Sequence, residues 1–285
     1  MNETEYRVLS VAVDTAIKLK GPSHFFRFKG FALKYTVSQS EQWTDCITIC
    51  YPFGECSRNK AYEIITELLS LWSFERDEPI IPGNCITAGT PFLTEDSALD
   101  ANITTQERVK VPKTTSCDTI FYLPKIETEV QGKSVRLYRQ ARSCINVYSQ
   151  LLFFWHTLVY PSRNDRTAQC YIQKFTDDKI DGYSHVYKDI KLLIKDKTGV
   201  FSEDLCESNF GKYIRDNVRH AIAHIVMKKG RSLEIDNVDQ QAHLDLISRI
   251  LRYIARYKIQ NEHGLSLTKP HGPDYFMTIR RPDSE

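Results

Sequence analysis

The spacing of the apolar residues changes once along the chain, near Gly132, and this change limits what the chain can fold into. Before it, short runs rich in Val, Phe and Tyr are separated by turn-forming residues, as is typical of strands. After it, apolar residues recur every three or four positions over long stretches, as is typical of helices. The 285 residues therefore predict an α+β domain followed by an all-α helical bundle.

The first part of the chain predicts a small domain of strands and one helix. A helix is expected over residues 59–74, where apolar residues are spaced by three or four and Asn59 can act as the N-cap. Residues 77–130 are rich in turn formers and hold only short apolar runs, such as 119–123. The α+β domain is predicted to span residues 1–131. Its strands are expected over residues 6–13, 24–37 and 45–51.

The rest of the chain predicts a helical bundle. A continuous apolar stripe favours one long helix at its start, and Pro161 ends that helix. The last helix begins at Asn237, because Gln240 follows three residues later as in a capping box. Helices with no strand between them predict a bundle over residues 132–263, followed by a tail over 264–285. The five helices are expected over 135–160, within 166–179, and over 186–195, 209–228 and 237–261.

Charge is unevenly distributed along the chain. Residues 1–130 carry 13 Lys and Arg against 18 Asp and Glu, a net charge of −5, and the other 155 residues carry 25 against 18, a net charge of +7. A basic C-terminal half suits a partner that bears phosphate groups. No apolar run approaches the ~18 residues of a membrane span, and the first residues lack the apolar core of a secretory leader. We therefore expect a cytoplasmic protein with no membrane partner.

The sequence patterns of metal and cofactor sites are missing. There are eight cysteines but no C-x-x-C pair, and thiols of cytoplasmic proteins stay reduced. A phosphate-binding loop ending at Gly132-Lys133-Ser134 would need a glycine where Glu127 stands. Neither G-x-G-x-x-G nor H-E-x-x-H occurs. We predict no metal and no cofactor.

The segment over residues 211–225, GKYIRDNVRHAIAHI, carries the chemistry that most suggests a function. Placed on a helix at about 100° per residue, its apolar residues form one face and its charged residues another. An arginine makes bidentate contacts to phosphate, and a histidine titrates near neutrality and moves protons. Two histidines four apart could also hold zinc, but no third ligand lies nearby, and such a face can simply be solvated. The outward face holds Arg215, Asp216, Arg219, His220 and His224.

This segment resembles the signature of the HEPN superfamily, in which an Arg, a polar residue, three further residues and a His lie on a helix of an all-α bundle. The signature occurs twice, in overlapping registers, as R-D-N-V-R-H from Arg215 and as R-H-A-I-A-H from Arg219. The second is closer, because small apolar residues between Arg and His are common in the family. The resemblance covers about residues 132–263.

The resemblance implies an RNA-cleaving site of the toxin or anti-phage defence type, composite across a homodimer. Arg219 would hold the scissile phosphate, His224 would act as acid and base, and His220 would orient or assist. The substrate-binding residues would be Arg215, Asp216 and Arg142. RNA or a nucleotide, a second copy of the chain, and an antitoxin or regulatory partner are the partners implied.

The segment is also similar to that of the methylamine utilization protein J family, where an R-N-A-I-A-H helix precedes an Asp-containing turn and a long Arg- and Ile-rich helix. Here His220 stands where Asn is usual. Three hypotheses follow: a metal-independent endoribonuclease, a non-catalytic bundle that binds nucleotides or partners, and a metabolic accessory protein. The acidic N-terminal half favours a regulatory or sensing role for that domain.

Overall fold

The chain folds into two compact units, Met1–Lys125 and Ile126–Leu265. The computed structural model describes residues 5–88, 91–101, 103–117, 123–195, 205–224 and 237–267, without the side chains of Cys117 and His224. Most of the tail expected over 264–285 lies outside the described residues, as does the expected helix beyond residue 224. The prediction of a mixed α+β chain is confirmed.

The first unit is built around an antiparallel sheet of five strands in the order β3-β4-β5-β1-β6. A second, two-stranded sheet pairs β2 with β7 in parallel. The strands are β1 (Tyr6–Thr15), β2 (Ile17–Leu19), β3 (Ser23–Phe28), β4 (Phe31–Thr36), β5 (Asp45–Pro52), β6 (Ile80–Thr87) and β7 (Thr115–Cys117).

Two helices cover opposite faces of the five-stranded sheet. Trp72 of α1 (Arg58–Arg76) meets Tyr35 of β4 edge-on, with ring centroids 5.5 Å apart. Leu99 of α2 (Glu95–Asp100) packs with Ala32 of β4 and with Cys50 of β5. Tyr35 and Ala32 are three positions apart on one strand, so their side chains point to opposite faces. Covering both faces explains why β5 is almost entirely buried instead of alternating.

Three features of the first unit differ from the sequence expectation. The apolar run over 24–37 is not one strand but a hairpin, because Lys29 and Gly30 adopt φ values of 53° and 82° and form its two-residue turn. The cap of α1 is Ser57, whose side chain accepts from the Lys60 amide, and not Asn59. Residues 80–87 form β6 although the turn formers Pro82 and Gly83 lie inside it.

The described part of the second unit consists of helices. Helix α3 begins at a capping box of Thr128 and Gln131, three residues before the expected domain boundary. The N-cap expected at Asn237 is present, and its side chain accepts from the Gln240 amide at 3.1 Å. The helices are α3 (Glu129–Ser143), α4 (Val147–Val159), α5 (Asp165–Asp178), α6 (Ser184–Lys195), α7 (Phe210–Tyr213), α8 (His220–His224) and α9 (Val238–Asn261).

The long helix expected over 135–160 is divided in two. Cys144 leaves the helical conformation after α3, and Asn146 caps α4 by accepting from the Tyr148 amide at 2.8 Å. The division turns α4 back along α3, where Tyr138 and Phe154 pack with ring centroids 5.6 Å apart. Among the described helices of the chain, none is both long and apolar enough to cross a membrane.

Candidate functional site

The Arg/His segment is not a regular α-helix. Its central part, Ile214–Arg219, is a π-helix that joins α7 to α8. The His220 amide donates to the carbonyl of Arg215, five residues earlier, where an α-helix would use a residue four earlier. π-Helical segments make up a very small share of protein structure, and those that occur are often at functional sites. The angular positions expected from a regular α-helix therefore do not hold across this segment.

Helix α5 lies directly against the Arg/His segment and holds it at several points. Gly211 donates its amide proton to Oε1 of Gln173 at 3.1 Å. A Cβ atom at Gly211 would overlap the Gln169 carbonyl and lie 3.0 Å from the Gln173 backbone nitrogen. Glycine thus permits the close approach of the two backbones. This contact fixes α5 against α7 at the start of the π-helical segment.

Arg219 is held by a carboxylate of α5. Its Nη2 lies 3.1 Å from Oδ2 of Asp165, and the two side chains are 24% and 33% exposed. The other oxygen of Asp165 accepts from the indole nitrogen of the buried Trp155 at 2.9 Å. Asp165 is in the first turn of α5, where a negative charge is favoured by the helix dipole. The carboxylate thus links α4, α5 and the π-helical segment.

Arg215 is held in a different way, and Asp216 is not where the helical projection places it. Nε of Arg215 donates to Oδ1 of Asp216 at 2.7 Å, and Nη1 donates to the side-chain carbonyl of Gln169. Asp216 is only 7% exposed. The helical projection predicts Asp216 in the middle of the outward face, whereas the structure buries it beside Arg215. Its carboxylate orients Arg215, and the role in substrate binding stays a prediction.

The remaining site residues are distributed as follows. His220, the first residue of α8, is half-buried directly after Arg219. The backbone of His224 ends α8, but its side chain is outside the described structure. Arg142 is in the last turn of α3, a helix that packs mainly on α4 and α9, whereas the π-helical segment packs on α4 and α5. Its place at the site stays a prediction.

This arrangement can bind an anion and move a proton. A guanidinium group has five N–H donors, more than one carboxylate can occupy, so donors of Arg219 remain for a phosphate beside its ion pair with Asp165. His220, the next residue in the chain, carries an imidazole, a group that can donate or accept a proton. Among the described residues, no group of three His, Cys, Asp or Glu side chains could hold a metal ion.

Sequence reasoning missed the residues of α4 and α5 that orient the arginines. They are Trp155, Asp165 and Gln169. Asp165 follows a capping asparagine, a pattern that marks a helix start and gives no hint of an ion pair with a residue far along the chain. Only the packing of α5 on the Arg/His segment brings these groups together.

Comparison with protein-family models, curated proteins and solved structures gives no match for this chain.

Proposed function

We propose that the second unit is a metal-independent endoribonuclease of the HEPN kind. The observation that carries the proposal is the pair Arg219 and His220 at the junction of a π-helical segment and α8. Arg219 is oriented by Asp165 yet remains partly exposed. An oriented guanidinium and an imidazole carried by consecutive residues are the groups that phosphodiester chemistry uses.

Cleavage would use the ribose 2′-hydroxyl as the nucleophile. A base removes the 2′ proton, the 2′ oxygen attacks phosphorus, and the bond from phosphorus to the 5′ oxygen breaks as an acid protonates that oxygen. The products are a 2′,3′-cyclic phosphate and a 5′-hydroxyl. Arg219 would stabilise the extra charge on the phosphorane, and His224 would transfer protons. His220 would orient the phosphate or assist the transfer.

Asp165 has a positioning role in this proposal. It does not reach the reacting atoms but fixes the direction of the Arg219 guanidinium through an ion pair of 3.1 Å. Because Arg219 is partly buried beside it, the guanidinium does not have to be ordered when RNA binds. Arg215, four residues earlier on the segment and held by Asp216 and Gln169, would contact a neighbouring phosphate.

The first experiment measures cleavage of total RNA in EDTA by the full-length protein. We expect His224→Ala and Arg219→Ala to lower the rate by about 10²-fold or more, with 2′,3′-cyclic ends from the wild type. The matched controls are His156→Ala and Arg166→Ala, which remove exposed residues of α4 and α5. Circular dichroism checks that each variant folds. If His224→Ala cuts as fast as the wild type, the proposal is wrong.

The two overlapping registers can be separated by the same assay. If the register from Arg219 is used, His224→Ala loses more activity than His220→Ala. If the register from Arg215 is used, the order is reversed and Arg215→Ala becomes the most damaging arginine variant. A composite site further requires a homodimer, so light scattering should give twice the 33.1 kDa chain mass.

A non-catalytic binding module is the second candidate, and one observation favours it. Both arginines already have carboxylate partners, Asp165 for Arg219 and Asp216 for Arg215. Such pairs can simply hold helices together. In that case the wild type shows no cleavage and Arg219→Ala lowers the free energy of unfolding, while the salt dependence of RNA binding stays equal in the two proteins.

A further inference from the structure

A second basic site lies in the same unit, in a pocket of about 290 Å³. It is formed by the end of α5, one face of α6 and the start of the short 3-10 turn Glu207–Asn209. Its volume is at the lower end of the roughly 300–1,000 Å³ usual for small-ligand sites. Tyr187 and Ile190 contribute its apolar wall, and its charged lining residues are Lys179, Lys188, Lys191 and Glu207.

Local structure fixes where the three lysines stand. Lys188 and Lys191 are three apart on α6, so they share one face of the helix. Lys179 follows α5 in a left-handed conformation with φ of 44°. The Tyr187 hydroxyl joins the two helices, because it donates to the Phe175 carbonyl and accepts from the Ile180 amide. The positive charges are therefore attached to a rigid frame.

The charge of this pocket favours an anion. Among the described lining residues, three are lysines and one, Glu207, carries a carboxylate, so the lining has a net positive charge. None of the three lysines forms an ion pair within the described part of the chain. Ammonium groups gathered without partners repel one another, and a bound anion removes that repulsion. Lysine is a common point-charge ligand of phosphate.

Helix α5 connects this pocket with the arginines. Along one side of α5, Asp165 contacts Arg219, Gln169 contacts Arg215, and Gln173 donates to the carbonyl of Glu207. Thr176, the next residue on that side, lines the pocket. From Asp165 to Thr176 the helix rises by about 17 Å. At about 3.4 Å per stacked nucleotide, this distance corresponds to about five nucleotides of a single strand.

We propose that the pocket binds a phosphate group of the RNA strand, about five nucleotides from the phosphate at Arg219. The lysines hold the phosphate, and the wall of Tyr187 and Ile190 contacts the attached sugar or base. The RNA source rests on the proposed function. A free nucleotide offers the same chemistry, and the experiment separates the two sources.

The test measures binding of the full-length chain to a fluorescent 2′-O-methyl RNA of about twelve nucleotides, which cannot be cut because its 2′ oxygens are blocked. The pocket variant, Lys188→Ala/Lys191→Ala, is expected to raise the Kd for this RNA about tenfold. It should also reduce the slope of log K against log salt concentration by about 0.7 for each phosphate that the lysines no longer neutralise. The control Lys174→Ala/Lys195→Ala removes two exposed lysines of α5 and α6 that do not line the pocket. It should change Kd less than twofold.

Two further arms identify the ligand. A tetranucleotide is too short to reach from Arg219 to the pocket, so the pocket variant should lose much less affinity for it than for the twelve-nucleotide RNA. ATP should compete only weakly with the RNA for the wild type, and the pocket variant should weaken ATP binding no more than it weakens RNA binding. If the pocket variant loses ATP binding but keeps RNA binding, the RNA assignment is overturned. Equal effects of the pocket and control variants, or no binding of either ligand, overturn the site itself.

Failure of this inference differs from failure of the proposed function. Lysine-dependent binding without cleavage by the wild type would refute the endoribonuclease and leave the phosphate site. Cleavage that depends on His224, with binding that does not depend on the lysines, would support the endoribonuclease and refute the phosphate site.

Discussion

Replacing Gly211 with alanine is expected to destabilise the protein, although glycine-to-alanine changes in helices usually stabilise it. A Cβ at this position would overlap the Gln169 carbonyl and approach the Gln173 nitrogen to 3.0 Å. Both obstacles are backbone atoms of α5, so no side-chain rotation relieves the overlap. Overpacking of this kind costs about 1–3 kcal/mol, against a gain in helix propensity of about 1 kcal/mol or less. Because backbone atoms cannot move aside, we take the upper end of that cost, about 3 kcal/mol, and expect a net loss of about 2 kcal/mol after the propensity gain.

Gly132 provides the matched control, because it is a buried helical glycine with room for a methyl group. A Cβ there would lie 3.5 Å from Cγ2 of Ile126, an ordinary van der Waals contact. Gly132→Ala should therefore stabilise the protein by up to about 1 kcal/mol. Thermal unfolding followed by circular dichroism should show the two variants moving in opposite directions. At about 4 °C per kcal/mol, the midpoint of Gly211→Ala should fall by about 8 °C.

An equal or higher midpoint for Gly211→Ala would refute this reasoning, because it would mean that α5 and α7 are not in backbone contact. The orientation of Arg215 and Arg219 by α5 would then be in doubt as well, since both depend on the same helix pairing.

Two other predictions concern buried ionisable groups. Burial lowers the pKa of His263 from 6.5 to about 4, and the positive charge of Lys258 adds to the effect. Stability should therefore decline as the pH falls from 6.5 towards 4, because the unfolded chain binds the proton in this range and the folded chain does not. Discounted for partial exposure, the expected loss in the free energy of unfolding is about 1.5 kcal/mol, which urea unfolding can measure. If a His263→Asn variant shows the same pH dependence as the wild type, His263 is not its cause. Lys113→Met should cost about 3 kcal/mol, because it leaves the fully buried Asp45 carboxylate, 2.5 Å from the lysine Nζ, without its cation. Asp45→Asn added to Lys113→Met should recover part of the loss in the same assay, and a loss below about 1 kcal/mol for Lys113→Met alone would show that the pair does not stabilise the fold.

Sequence patterns predicted those elements whose signals are local. Helix α9 has its cap at Asn237 and its apolar stripe on the buried side, as expected. The break between α3 and α4 was not predicted, because the apolar stripe continues across it and only Asn146, a capping residue inside an apolar run, marks it. Strand β6 was missed because the turn formers Pro82 and Gly83 interrupt its apolar pattern. Its Pro82 is tolerated because β6 is an edge strand and its register with β1 shifts between Val11 and Val13.

The candidate site was predictable in its residue types but not in its geometry. A periodicity of 3.6 residues underlies any helical projection, and a π-helical turn breaks that periodicity without leaving a composition signal. Asp216, expected on the outward face, is instead buried beside Arg215. The pairing of Arg219 with Asp165 depends on how α5 packs, and no local pattern links two residues so far apart in the chain.

The hydrogen bond between Trp155 and Asp165 gives the site an optical signal of its own. Trp155 is the only tryptophan in the sequence of the second unit, and its indole nitrogen lies 2.9 Å from the carboxylate that pairs with Arg219. A phosphate that draws Arg219 away leaves that carboxylate less neutralised, which changes the electric field at the indole ring. The emission of the unlabelled protein should therefore shift when Arg219 is occupied. The same titration with Arg219→Ala isolates this shift from the emission of Trp43 and Trp72.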